Sequence, residues 1–305
     1  MPVSVRAEEE IPSLLNESLR ATYQACIGID EALYDLKKMA GINTAVTAVG
    51  TGLGAGALVT GIMKHSKDVQ AESYEQLLDK LRELTKNANV KKPSKDDIAK
   101  FENEFNLSYD SAVKDLQTYE NELNKLNTQS KKLGNWRTGL LAGNAVTNVA
   151  GAVIAGTNRV DTDLQEQIDN CKKSLGNLSA SIMQARLNGE DISEAQNIYS
   201  TCREYDFVDI SKINKRAKGA TISSIVGATT GITGTVTSYM ANTDETRNDN
   251  TDAGKKKEKN LNLASNILAG ASTAASATAT VFNASQIKAI KDVANVASKC
   301  SEVLR

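Results

Sequence analysis

The residues of this chain whose chemistry could define a site are four cysteines, one histidine, and short glycine-rich or acidic runs. Cysteine offers nucleophilic catalysis, metal ligation or disulfide bonding, and its spacing decides among them. Cys26, Cys171, Cys202 and Cys300 stand far apart, and the only histidine is His65, so no metal site is expected. Asp68 lies one helical turn beyond His65 and could orient its imidazole. Lys64, Ser66 and Lys67 around it supply no activated nucleophile, so a surface histidine at a segment edge is expected. Gly52-x-Gly54-x-x-Ala57 carries half of a dinucleotide fingerprint, but a helical stripe precedes it where that motif needs a strand. Asn248, Asp249, Asn250, Asp252 and Gly254 offer oxygen ligands without the glycine and glutamate offsets of a calcium loop, and read as a solvated turn. With no convergent polar groups, the expectation is a protein that is not an enzyme, with no cofactor and no small-molecule substrate.

The elements that would carry these residues are helices. The only prolines are Pro2, Pro12 and Pro93, so the chain from Ser94 to Arg305 is uninterrupted by one and rich in helix-forming residues. Lys+Arg 36 against Asp+Glu 37 leaves a net charge of -1, which argues against a nucleic-acid binder. Aromatic residues, at 4%, are too few to build many pockets or binding anchors. The opening residues MPVSVRAEEE lack a basic stretch followed by an apolar one, so no signal peptide is expected in them.

A first helix is predicted from Ile11 to Ala40, with Leu15, Leu19, Thr22, Cys26, Ile29, Leu33 and Leu36 on one seam. Charged helices are predicted over 66–87 and from Ile98 to Lys132, with a break at 87–97. Four stretches, 41–63, 138–157, 219–243 and 261–285, carry no charge and are rich in Gly, Ala, Thr and Ser. Basic residues introduce each: Lys37-Lys38, Lys131-Lys132, Lys215-Arg216 and Lys255-Lys256-Lys257. Two domains follow: 1–185, with a long connector at about 64–133, and 186–305, with a short polar connector at about 243–260. Each half reads cysteine, uncharged stretch, connector, uncharged stretch, cysteine. The fold class expected is all-α, an elongated bundle of two duplicated antiparallel hairpins.

In such a hairpin, a residue about fifteen before the first stretch lies level with one about fifteen after the second. That geometry predicts two disulfides, Cys26–Cys171 and Cys202–Cys300. Leu164, Ile168, Cys171, Leu175, Leu178 and Ile182 share one apolar helical face, as a buried bridge requires. Disulfides imply an oxidising compartment, so an exported envelope protein is expected, in a membrane or the periplasm.

The helix-packing residues expected in the uncharged stretches are Gly50, Gly52, Gly54, Gly56, Gly139, Gly143, Gly227 and Gly231, at the four-residue spacing of close helix pairs. Stretches of 20 to 25 residues suit a bilayer span. Against spanning stand Asn144, Asn148 and Asn266, which would be expensive in hydrocarbon. Ile42, Val46, Val49 and Leu53, and likewise Val146, Val149 and Val153, form seams that suit packing on a partner helix. The partners expected are membrane lipid and a second copy or another protein. A soluble secreted bundle without lipid contact is the alternative.

Overall fold

The structure, a computed structural model, describes residues 13–88, 93–249 and 251–305. Pro2, Pro12, the predicted helix start at Ile11, part of the predicted break at 87–97, and Asn250 lie outside the described residues. Among the described residues the chain is helical and has no strand. The elements are α1 (Leu14–Cys26), α2 (Ile29–Ala88), α3 (Lys95–Phe105), α4 (Tyr109–Lys114), α5 (Leu116–Thr157), α6 (Thr162–Asn188), α7 (Ser193–Cys202), α8 (Ser211–Asn242), α9 (Asp244–Arg247) and α10 (Asp252–Leu304).

Local chemistry explains most of the boundaries. Ser13, Ser94 and Asp161 cap α1, α3 and α6, their side-chain oxygens accepting backbone N–H bonds from Asn16, Asp97 and Leu164. Gly189, at φ 76°, closes α6 in the left-handed conformation. The predicted first helix is two helices, because Gly28 at φ 85° turns the chain between α1 and α2. The predicted charged helix from Ile98 to Lys132 is also interrupted. Asn106 adopts φ 50° after α3, and Asp115 lies between α4 and α5. Conversely, the polar connector at 243–260 is largely helical. Thr243 caps α9, and the Thr251 hydroxyl accepts the Gly254 N–H at 3.0 Å in the first turn of α10.

The chain forms two compact units. One comprises residues up to Ala48, Ala150–Ser224 and Ala277–Arg305; the other comprises Val49–Val149 and Ile225–Ser276. Each draws on both sides of residue 185, so these units and the halves read from the sequence are different divisions of the chain.

The first unit has a conventional apolar core. Leu15, Ile29 and Leu33 pack with Ile168, Leu175 and Leu178, and with Ile198, Tyr205, Ile290 and Val293. Both disulfides lie in this core: Cys26–Cys171 with sulfurs 2.01 Å apart and Cys202–Cys300 at 2.00 Å. They are the pairs the spacing predicts, and the Leu164-to-Ile182 stripe is buried as expected. The predicted seam from Leu15 to Leu36 faces inward as well, with Leu19 and Leu36 partly buried.

The second unit contains a small aromatic core in which Leu77, Leu81 and Leu84 of α2 meet Phe101 of α3, with Tyr74, Tyr109 and Tyr119 around them. Its uncharged part is four helices with antiparallel neighbours. Gly50 of α2 meets Thr147 of α5, and Gly56 meets Leu140. Gly227 of α8 meets Asn148 of α5, while Ser272 and Ser265 of α10 donate to the carbonyls of Gly227 and Gly234.

Replacing both Cys202 and Cys300 by serine should destabilise the protein by roughly 2–5 kcal/mol, the usual effect of losing a native bridge that closes a long loop. A denaturation midpoint unchanged from the wild type, or four alkylatable thiols in the native wild-type protein, would contradict the pairing.

Candidate functional site

The uncharged part of the second unit is largely inverted relative to an ordinary soluble bundle. On each long helix one stripe at alternating three- and four-residue steps is buried. On α5 it runs through Ser130, Gly134, Arg137, Leu141, Asn144 and Asn148. On α10 it runs through Asn262, Ser265, Ala269, Ser272 and Ser276, and on α8 through Gly227, Gly231, Gly234 and Ser238. On α2 it is Gly50, Gly54, Ala57, Gly61 and Lys64. Apart from Leu141, which packs with Ala57 and Ala269, these are small or polar residues. The large apolar side chains of the same helices face outward, among them Val49, Val59 and Ile62 on α2, Val146 and Val149 on α5, Ile232 and Val236 on α8, and Leu263 and Ile267 on α10.

Most residues of the seams predicted from Ile42, Val46, Val49 and Leu53, and from Val146, Val149 and Val153, therefore do not face a partner helix as expected, although Leu53 does pack against Gly143 of α5. Val146 is 68% exposed and Val49 57%. The reason lies in the heptad phase. Continuing the Leu33–Leu36 stripe by 3.5 residues leads to Ala40, Asn43, Thr47 and Gly50, one position away from the apolar series.

Inside the unit most of the polar groups satisfy one another, the buried Asn242 Oδ1 being an exception. Asn144 donates to Ser272 Oγ at 3.0 Å, and Asn148 to Ser276 Oγ at 2.7 Å and to Asn144 Oδ1. Ser276 in turn donates to the Asn144 and Asn148 amide oxygens, at 3.0 and 3.1 Å. One level along, Arg137, fully buried, donates through Nε to Ser238 Oγ at 2.9 Å, through Nη1 to Asn266 Oδ1 at 3.0 Å, and through Nη2 to Asn262 Oδ1 at 2.8 Å. Asn144, Asn148 and Asn266, which weighed against a bilayer, are thus turned inward and bonded.

At the adjoining end a charge cluster, with Lys64 buried and its partners half-buried, ties four helices. Lys64 Nζ lies 2.6 Å from Asp68 Oδ2 and 3.5 Å from Glu258 Oε1, and Arg247 Nη1 lies 3.7 Å from the same Glu258 oxygen. Ser130 donates to Asp68 and accepts from Arg247 at 3.2 Å. Burial lowers the Lys64 ammonium pKa, opposed by Asp68, and raises the Glu258 carboxyl pKa, opposed by Lys64 and Arg247. Asp68 therefore serves Lys64 and not His65, which is exposed. Asp249 accepts from Thr251 N–H at 3.1 Å and from its hydroxyl at 2.6 Å, a role that closes the turn before α10.

The packing glycines divide. A methyl at Gly50 would meet Thr147 Oγ1 at 2.6 Å, and one at Gly227 would meet Asn148 Oδ1 at 2.7 Å. Gly54, Gly56, Gly143 and Gly231 also meet neighbours, whereas Gly52 and Gly139 face open space and are not packing positions among the described residues. The sequence reading missed Gly61, Gly134 and Gly234, which lie on the same heptad stripes and face Asn266, Asn242 and Leu268. It also missed Arg137, Lys64 and Ser238 as interior groups. Extending the stripe would have found them.

Comparison with protein-family models, curated proteins and solved structures finds no match to this chain.

Two substitutions separate interior from exterior. Gly50→Ala is expected to destabilise by roughly 1–3 kcal/mol through overpacking. Gly52→Ala, which meets nothing within 4 Å, should be neutral or stabilise by up to about 1 kcal/mol through helix propensity. Thermal unfolding followed by circular dichroism measures both, and equal effects would contradict this packing.

Proposed function

We propose that this is an exported cell-envelope protein, not an enzyme, whose four uncharged stretches insert into a membrane as a helical bundle with a scaffolding role. The observation that carries the reading is the inversion of the uncharged part of the second unit, with amides, hydroxyls and a guanidinium inside and most of its Val, Ile and Leu outside. In water this arrangement exposes what the hydrophobic effect should bury. In hydrocarbon it is the expected one, because polar groups must be satisfied internally and apolar surface costs nothing to expose.

Three further features support it. Two helical runs, Leu14–Lys86 and Leu116–Asn188, are long and apolar enough to cross a membrane, with mean hydropathy 1.5 and 1.4 over their most apolar 18 residues. Only 28% and 33% of those residues are buried within the protein, whereas the core helix of a soluble protein is mostly buried. The outward threonines of α8 are self-satisfied: Thr229, Thr233 and Thr237 donate to the carbonyls of Ile225, Thr229 and Thr233 at 2.9–3.0 Å. At 1.5 Å per residue, the 23 uncharged residues of 41–63 extend about 34 Å, close to the hydrocarbon thickness of about 30 Å.

The two disulfides point to an oxidising, extracytoplasmic compartment. The repeated order of cysteine, stretch, connector, stretch, cysteine supports an origin by duplication of one hairpin, and a protein partner or second copy remains part of the proposal. A second reading, a secreted bundle without lipid contact, draws on α8 and α10. Neither is among the helical runs apolar enough to span, and the stretch 261–285 is mostly Ala, Ser, Thr and Asn.

Reconstitution into vesicles followed by alkaline carbonate washing separates the two. The protein is expected to stay with the lipid, and Val236→Lys on the outward face of α8 should greatly reduce its integration, a central lysine costing roughly 2.5–3.5 kcal/mol. Full release of the wild type, monodisperse without detergent, would eliminate the membrane reading.

A further inference from the structure

The α10 face at the end of the outward apolar surface carries a groove with its own chemistry. Ala253, Lys256, Lys257, Asn260, Leu261 and Ala264 line a shallow, largely open groove along one face of α10 alone. These positions fall on one side of α10, spaced by three and four residues, so two ammonium groups and an amide stand at one end and an apolar floor runs from them. Leu263 and Ile267, exposed on the next turns of the same helix, extend the apolar surface.

Some of the lysines at this level are paired and others are not, with exposed Asp252 and Glu245 nearby in sequence. Lys255 pairs with Glu75 at 3.1 Å, and Lys131 with Asp244 at 2.6 Å. Lys256 and Lys257 make no ion pair within 4 Å among the described residues, although the Asp249 carboxylate acts on Lys257 from further away. Exposed Lys132 and Lys259 add to the same sign. On neighbouring helices, Trp136 is 68% exposed and Tyr239 65%. The contacts Gly134–Asn242 and Leu141–Gly234 set α5 and α8 in register, so these two rings lie level with each other. Exposed aromatic rings at one level of a helical bundle, near the level of basic residues, are the arrangement expected where a protein meets the headgroup layer of a bilayer.

We infer that this groove binds an anionic phospholipid of the surrounding membrane. The phosphate sits between the Lys256 and Lys257 ammonium groups with Asn260 as a donor, and an acyl chain lies along Leu261 and Ala264. Charge complementarity selects the anionic headgroup, and the adjoining apolar floor selects a lipid over a soluble anion. The inference rests on the membrane reading and adds to it a defined ligand class at a defined place.

The test uses the full chain titrated with vesicles of phosphatidylcholine alone or phosphatidylcholine mixed with phosphatidylglycerol, with carbonate resistance read in the same samples. The wild type is expected to prefer the anionic vesicles. Lys256→Gln with Lys257→Gln should weaken that preference by roughly 30-fold, about fivefold per lysine. Lys95→Gln with Lys100→Gln, an equal charge change at exposed positions of α3, should leave it intact. Carbonate-resistant integration with no lipid preference, or a preference the Lys256 and Lys257 variant retains, overturns the site and leaves the membrane reading standing. Inorganic phosphate displacing the preference at comparable concentration overturns the assignment to lipid. Failure to integrate into either vesicle overturns the membrane reading, and this inference with it.

Discussion

Close approach of helix backbones governs the second unit. Gly50, Gly54, Gly61, Gly227, Gly231 and Gly234 stand where a neighbouring helix leaves no room for a methyl without rearrangement. Each such glycine costs about 1 kcal/mol in helix propensity against alanine, so packing must offset it. Helices this close leave narrow interior space, filled here by serine, asparagine and alanine. Polar groups placed there must find partners in one another, since an unsatisfied buried donor or acceptor costs roughly 1–3 kcal/mol. The Asn144–Ser272 and Asn148–Ser276 bonds meet that demand, and they also set the register of α5 against α10.

The same kind of stripe is filled differently in the other unit. On α10 it continues through Ile290, Val293, Ala297 and Cys300, which join a conventional apolar core closed by two disulfides. One helix thus carries a polar interior over part of its length and an apolar one over the rest. The hydrophobic effect accounts directly for the second. The first needs mutual hydrogen bonding within the unit and, on the reading proposed, hydrocarbon outside it.

The charge cluster of Lys64, Asp68, Arg247 and Glu258 shows how the polar interior ends. Buried charges are tolerated only when paired and hydrogen-bonded, and here each cation has a carboxylate and Ser130 bridges two members. Arg137 is the exception. Its partners are neutral amides and a hydroxyl, so its charge is spread over three hydrogen bonds without a salt bridge among the described residues.

Much was legible in the sequence because it depends on local chemistry or on one-dimensional spacing. The near absence of proline implied helices, the uncharged stretches marked four segments, and the positions of Cys26, Cys171, Cys202 and Cys300 implied their pairing. Those inferences need only helix rise and antiparallel geometry. Which face of each stretch turns inward was decided by tertiary structure alone. Ile42, Val46, Val49 and Leu53 and the stripe of Asn43, Thr47, Gly50 and Gly54 share one period and differ only in phase, so periodicity cannot rank them. The choice rests on which side chains permit close approach of the neighbouring helix, and small and polar residues fill most of these stripes, with Leu141 an apolar exception. The breaks at Gly28 and Asn106 were missed for a related reason. A left-handed residue inside a helical pattern leaves the pattern of apolar residues on either side unchanged.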